Sequence, residues 1–446
     1  RLVPGATSKT VMADAGTEPP PPNILFVTVD ALNYRHLGHA GYQRQTTPAL
    51  DRFARQAVVF ERAYSPAPAT LPAGVVFITG RYLQVISSPD MGNLLDQSYT
   101  TMAEYLRAAG YRTVSIVGNH FFGRGTGFEQ GFDAVHDQDL GARRMVSLAL
   151  KNLVQAEHGR PLFLWMHLFD PHAPYTPPFG NTLDTRYYPP WIPATGRGRP
   201  AEHAGPPMLP LAPTDLPFLS FGSYDGVHDS LRWYFDRYDE EILSTDRALA
   251  PLLDWVLASR NTILVFSADH GESMGEHNFW FGHGNCLYNE ELRVPLLFFD
   301  PEDPTPRRIL RPVGTIDILP TLLQRLALPS EGLEGKPLLD LGPRVVPLKA
   351  KMWINGVYSA MLVKDGYKYL LHQADQQLRE ELFVLGDDPY ERHNLARQRP
   401  HVTASLRALL KEEITHYERA DLNPVEAAQV FPEDRLEMLR QLGYVQ

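Results

Sequence analysis

Asp269 and His270 stand side by side in the run Ser267-Ala268-Asp269-His270-Gly271-Glu272, directly after Thr262-Ile263-Leu264-Val265-Phe266. The apolar stretch is rich in β-branched and aromatic residues and reads as a buried strand. Open α/β sheets place their chemistry beyond the carboxyl ends of such strands. An adjacent Asp–His pair there suits a divalent cation, and the imidazole leans the preference toward a transition metal over an all-oxygen calcium cage. Standing alone, the run would be explained as well by a solvated polar loop. Three more clusters point the same way. Asn23–Val29 reads as a second buried strand ending on Asp30, a natural partner for Asp269 and His270, with an N-cap or loop aspartate as the alternative. In Ser65–Gly74, Pro72 fits the first turn of a helix and leaves the Thr70 hydroxyl at its N-terminal end. Free N–H groups and the helix dipole favour a developing alkoxide or a bound anion there. A threonine is nevertheless a weak nucleophile unless a metal or base lowers its pKa; an ordinary helix cap is the alternative. Finally, Phe163–Phe169 is an apolar strand with Asp170 and His172 at its exit. His172 and His283 could donate hydrogen bonds to a tetrahedral anion or protonate a leaving group.

In this order the four segments resemble the sulfatase family of the alkaline phosphatase superfamily. Supporting matches include Gly127-Phe128-Glu129-Gln130-Gly131-Phe132-Asp133, Tyr238–Ile242 with Asp246, Arg293-Val294-Pro295, Asp317-Ile318-Leu319-Pro320-Thr321, Glu381-Leu382-Phe383 and Leu442-Gly443-Tyr444, so the resemblance runs from residue 23 to 446. It implies an α/β fold, an alkaline-phosphatase-like, mostly parallel sheet sandwiched by helices, with a smaller C-terminal antiparallel sheet and helix. The departures are informative. Family sulfatases carry a Cys or Ser, matured to formylglycine, followed by x-Pro-x-Arg; here Thr70 holds the nucleophile position and Gly74 the place of the arginine. Threonine is not a substrate for that maturation. The paired aspartates common on the first strand are reduced to Asp30 followed by Ala31, and the sulfate-gripping Gly-Lys-x-His becomes Gly118-Asn119-His120-Phe121.

The remaining Asp30, Thr70, Asp269 and His270 are similar to the metal site of superfamily phosphodiesterases, phosphonate monoester hydrolases and phosphoethanolamine transferases. The resemblance then implies that these four residues hold the metal and that Thr70 attacks phosphorus to form a covalent phosphothreonine. His172 and His283 join Thr70 as catalytic residues, and Asn119, Asp170 and Arg81 contact substrate. One divalent ion is expected, zinc or manganese before calcium or magnesium. A second ion on Asp170, His172 and His283 is less favoured, because the Asp-Pro-His spacing better matches the family's single-metal substrate histidine. A phosphoester or sulfate ester of a small molecule, lipid or glycan is the expected partner. Two other readings stay open: a sulfuric ester hydrolase without formylglycine, and a non-catalytic sulfatase-like binding protein.

The rest of the 446 residues must position this chemistry. A net charge of -10 argues against nucleic acid as the main partner. No apolar run is long enough to span a bilayer, and the single cysteine, Cys286, excludes an intrachain disulfide. Residues 1–22 read as a disordered linker or expression remnant. Because chains of this family often follow a signal peptide or anchor, an extracytoplasmic location is expected. Alternating strand and helix patterns place a catalytic α/β domain over 23–343, with surface helices at Thr47–Gln56 and Thr101–Ala109 and a longer one at Leu231–Leu257. Within it, 176–230 is an irregular Pro-rich insertion, in which Tyr187, Tyr188 and Trp191 either contact a leaving group or pin the loop. From 344 to 446 the pattern becomes an α+β subdomain: hairpin strands at 351–354, 358–363 and 367–371 around an Asp365-Gly366 turn, a further strand at Glu381–Leu385, then helices at His401–Tyr417 and Glu433–Leu442.

Overall fold

The computed structural model describes residues 20–82, 95–138, 140–156, 159–178, 183–184, 186–189, 192, 199–200, 218–219, 230–340, 342, 348–354, 357–374 and 377–420. Trp191, the Glu433–Leu442 helix, nearly all of 1–22 and most of 176–230 lie outside these residues.

Eight strands make one sheet: β1 Asn23–Val29, β2 Val58–Phe60, β3 Arg112–Val117, β4 Ala134–His136, β5 Leu162–Leu168, β6 Thr262–Ala268, β7 Leu296–Phe299 and β8 Arg307–Ile309. Across the sheet they run β8-β2-β7-β6-β1-β5-β3-β4, with β7 alone antiparallel to its neighbours. Every residue of β1, β5 and β6 is buried. Parallel strands covered on both faces need apolar residues on both, so these segments read as unbroken apolar runs without alternation.

Register decides where the chemistry emerges. Thr28 of β1 pairs with His167 of β5 and with Ser267 of β6, so Asp30, Asp170 and Asp269 leave the sheet at one edge. The helix Thr70–Thr79 covers one face near that edge, with Phe77 edge-on to Phe26 at 5.4 Å and to Trp165 at 5.8 Å. The long helix Leu231–Ala258 packs against Pro48–Ala54, whose first free N–H groups, on Ala49 and Leu50, donate to Asp246. Met102–Ala108 begins in a capping box, Thr101 with Glu104. These three helices stand within a residue or two of the expected ranges.

A separate antiparallel sheet follows in strands Leu348–Ile354, Val357–Lys364, Tyr367–Ala374 and Gln377–Val384. Asp365 and Gly366 both adopt positive φ, 51° and 81°, the conformation a two-residue hairpin turn of matching twist demands. One face packs Leu362, Tyr369, Leu371 and Leu382 against Leu406 and Leu410 of the helix Pro400–Ala420, which contains the expected His401–Tyr417. The other face sets Met361, Leu370 and Phe383 against Tyr64, Leu287, Tyr288 and Leu292 of the larger unit.

A polar seam runs through that junction. His277 Nδ1 lies 2.5 Å from a Glu290 carboxylate oxygen and its Nε2 3.2 Å from the Glu391 carbonyl, so both ring nitrogens face acceptors and the ring is held doubly protonated. Burial opposes that charge, but Glu290 outweighs it and lifts the His277 pKa from 6.5 to about 9. This stabilisation, about 3 kcal/mol in order of magnitude, is complete below the unfolded value near 6.5 and fades as pH rises through about 9. His277→Gln is therefore expected to lower the melting temperature by several degrees at pH 6 and by almost nothing at pH 9.5. Melting curves of the two proteins across that range check it, and a pH-independent gap contradicts it.

Candidate active site and metal centre

The four residues expected to hold a metal do converge. Thr70 is the first residue of its helix, with Ala69 in the cap position. Its hydroxyl therefore does not close the helix end. Thr70 Oγ1 instead stands 3.1 Å from His270 Nε2 and 3.4 Å from Asp30 Oδ1. His270 Nε2 is in turn 3.5 Å from both the Asp30 and Asp269 carboxylates. Asp30, Thr70, Asp269 and His270 are all buried. The turn after β1 is pinned to hold them: Ala31 adopts a φ of 53°, its N–H donates to Asp269 Oδ1, and its carbonyl accepts the Tyr238 hydroxyl at 2.6 Å. Tyr238, part of the Tyr238–Ile242 match, thus acts by anchoring this turn.

A fifth residue stands with them. His167, one residue before the end of β5, places Nε2 3.5 Å from Asp30 Oδ2. Ligand atoms of Asp30, His167 and Asp269 all lie within 4.8 Å of one another. His167 Nε2 and Asp269 Oδ2 are buried without a hydrogen-bond partner. Unmatched polar atoms at such depth are costly, and two of them facing one carboxylate is the arrangement a cation would resolve. The residues present fit a divalent metal. Sequence reading missed His167 because it is flanked by Met166 and Leu168 on an apolar strand; the signal available was its pairing opposite Thr28, two residues before Asp30.

Hydrogen bonds to backbone carbonyls fix the protons on two histidines. His270 Nδ1 donates to the Gly271 carbonyl at 2.8 Å and His172 Nδ1 to the Ala173 carbonyl at 2.6 Å. A carbonyl only accepts, so in the neutral rings Nε2 carries the lone pair. His283 Nδ1 faces Glu272 Oε2 at 2.8 Å, and Glu272 Oε1 accepts the Tyr175 hydroxyl at 2.9 Å. The rings form a chain, His172 to His283 at 4.9 Å and His283 to His270 at 4.2 Å. Burial, reinforced by the adjacent histidine in each case, lowers His270 and His283 to about 3, so both are neutral at pH 7. Burial lifts Glu272 to about 7. Burial and the Asp30 charge push Asp269 well above the usual carboxylate range. Burial also presses Asp30 upward, yet the surrounding histidines His172, His167 and His270 outweigh it and leave Asp30 low. Of the two carboxylates, Asp30 is thus held low and Asp269 high.

The expected substrate contacts are placed differently. Asn119 Nδ2 donates to Asp30 Oδ2 at 2.7 Å and Asn119 Oδ1 accepts the Phe121 N–H, so its amide is spent on Asp30 and its own loop. Arg81 is not brought to Thr70: it follows the opposite end of the same helix, about 15 Å along the axis at the usual rise per residue, and is exposed. Asp170 sits half-buried at the exit of β5, where its charge helps raise Glu241. Tyr188 donates to Asp236 and lies beneath the guanidinium of Arg44, while the Tyr187 carbonyl accepts from Arg44. Both tyrosines serve as loop anchors here. Gly74 has a steric cause: a Cβ there would stand 2.2 Å from the Phe122 ring.

The chain matches the sulfatase family over residues 22–328, more than half its length. The chain belongs to the sulfatase family. Among curated relatives of this sulfatase-family chain, the ulvan-active sulfatase of Formosa agariphila is 27% identical over 73% of it, and the chain spans 65% of that protein's length. The choline-sulfatase of Rhizobium meliloti is 24% identical, covering 84% of the chain and 82% of the relative. Among solved structures, the phosphonate monoester hydrolase of Agrobacterium radiobacter shares the fold at a TM-score of 0.66 and 19% identity, covering 93% and 98% of the two chains. A protein solved with its substrate D-glucosamine-2-N,6-O-disulfate does so at a TM-score of 0.69 and 18% identity, covering 90% and 99%. The fold is therefore that of the alkaline-phosphatase-like sulfatases, and the protein is a sulfatase-family hydrolase. Members of the family use a metal ion. Among the described residues no helix is long and apolar enough to cross a membrane.

Proposed function

We propose that this sulfatase-family chain is a metal-dependent hydrolase of phosphodiester or phosphonate monoester substrates acting through a covalent phosphothreonine at Thr70. The observation that carries the reading is the Thr70 hydroxyl itself, buried at the first turn of its helix, 3.1 Å from an unprotonated His270 nitrogen and 3.4 Å from Asp30. Asp30, Asp269, His270 and Thr70 would hold the cation. When bound, a divalent cation supplies the positive charge that lowers the hydroxyl pKa and offsets the carboxylates.

Thr70 Oγ1 then bonds to phosphorus in line as the bond to the leaving oxygen breaks. Free N–H groups at the helix start face the anion this attack produces. His283, whose ring stands 4.2 Å from that of His270, takes the Thr70 proton at Nε2 while its Nδ1 stays bonded to Glu272, and gives that proton to the leaving oxygen. Water attacks the phosphothreonine in the second step and restores the hydroxyl. The enclosure by His172 and Tyr175 keeps the rings of this relay in place.

A sulfate ester is the second reading, favoured by the sulfatases among the relatives. Matched aryl phosphodiester, phosphonate monoester and sulfate monoester substrates, assayed with added divalent metals, separate the two. Metal-dependent phosphodiester or phosphonate turnover supports the proposal. Dominant sulfate turnover through Thr70 overturns it.

A further inference from the structure

We infer that His167 is a ligand of the divalent cation, making the site a centre of two imidazoles and two carboxylates beside Thr70; this rests on the metal-dependent reading above. Three independent features of the chain lead to it. First, His167 Nε2 and Asp269 Oδ2 are buried, lack hydrogen-bond partners, and share with Asp30 a cluster of ligand atoms within 4.8 Å. Unmatched polar atoms at that depth are costly, and one ion between the two would satisfy both.

Second, the histidine is held as ligands are held. Its Nδ1 lies 2.8 Å from Thr28 Oγ1, the residue opposite it in register, and Thr28 Oγ1 accepts the Trp165 indole N–H at 3.0 Å. A hydroxyl can accept from Nδ1–H as well as donate to Nδ1, so this partner permits the tautomer that frees the Nε2 lone pair. The Phe122 ring stands edge-on against His167, 4.7 Å between centroids at 84°. Phe122 reaches that position over Gly74, where any side chain would collide with it.

Third, the departures of this chain form one set. Asp30 is followed by Ala31, which supplies no ligand atom, and His167 Nε2 comes from the neighbouring strand to 3.5 Å from Asp30 Oδ2, the oxygen that also accepts from Asn119. Gly74 admits the phenyl ring that buttresses the imidazole. Two nitrogen donors shift the preference of the centre toward zinc and manganese and away from calcium, which takes six to eight oxygens.

X-ray absorption of the zinc-loaded full chain counts the imidazoles on the metal. Two are expected in the wild type and one in His167→Gln, which should also bind zinc about 10-fold or more weakly. The double variant His172→Gln/His283→Gln, altered on the other side of His270, is expected to keep two. A single imidazole in the wild type, or a fall to one in the double variant, overturns the inference and leaves the metal-dependent reading standing. Failure of the wild type to bind zinc or manganese at all defeats both.

Discussion

Replacing Thr70 with alanine is expected to cut metal-dependent phosphodiester or phosphonate turnover by about 10⁴-fold or more, because removing a nucleophile removes the reaction path and not just one contact. Thr70 is 2% exposed, and the change deletes only a hydroxyl and a methyl at a helix start. Loss of the one hydrogen bond its hydroxyl donates, to His270 or to Asp30, should cost about 1 kcal/mol of stability, so the variant is expected to fold. Thr70→Ser keeps the oxygen and should retain a measurable part of the activity. Steady-state kcat of the three proteins, with mass spectrometry of rapidly quenched wild type for a phosphorylated Thr70 peptide, tests the reading. Turnover within tenfold of wild type in the alanine variant would mean another residue attacks.

Exhaustive chelation should abolish turnover and also loosen the fold. Asp30 and Asp269 stand buried on neighbouring strand ends, and burial together with Asp30 already drives Asp269 toward its protonated form. A cation present at a hundredfold its dissociation constant stabilises the folded state by about 2.7 kcal/mol. For a chain of this size that amounts to a shift of a few degrees in melting temperature. The sign with pH follows from the ligands: a cation needs Asp269 ionised while burial and the Asp30 charge push that carboxyl up, so the gain should be larger near pH 8 than near pH 5. Differential scanning calorimetry with and without zinc or manganese at both pH values measures it. An equal melting temperature in chelator and in metal would show that these carboxylates are not a metal site.

Much of this arrangement was legible in the chain because it is local. β1, β5 and β6 announce themselves as unbroken apolar runs, since strands covered on both faces have no polar side to show. Asp30, Thr70, Asp269 and His270 follow from residues at strand ends and one helix start. His167 did not, because a histidine inside an apolar strand looks like core until the register sets it beside Asp30. Arg81 shows the converse: it is eleven residues from Thr70 in sequence, yet a whole helix stands between them. Asn119 was assigned to substrate from its place in a motif, whereas its amide is committed to Asp30 at 2.7 Å. The Pro-rich stretch after Tyr175 carries no periodicity from which a pocket wall could be read.

Gly74 and Asn119 bring no charge to the site, and its floor is carboxylate. An anionic ester approaching without a cation in place meets that charge with only the N–H groups of the helix start to answer it. Substrate and metal are thereby linked ligands: each raises the affinity for the other by the same factor, whichever arrives first. On the proposed reading, the supply of metal in the surroundings then sets not only how fast the protein works but whether it holds its substrate at all.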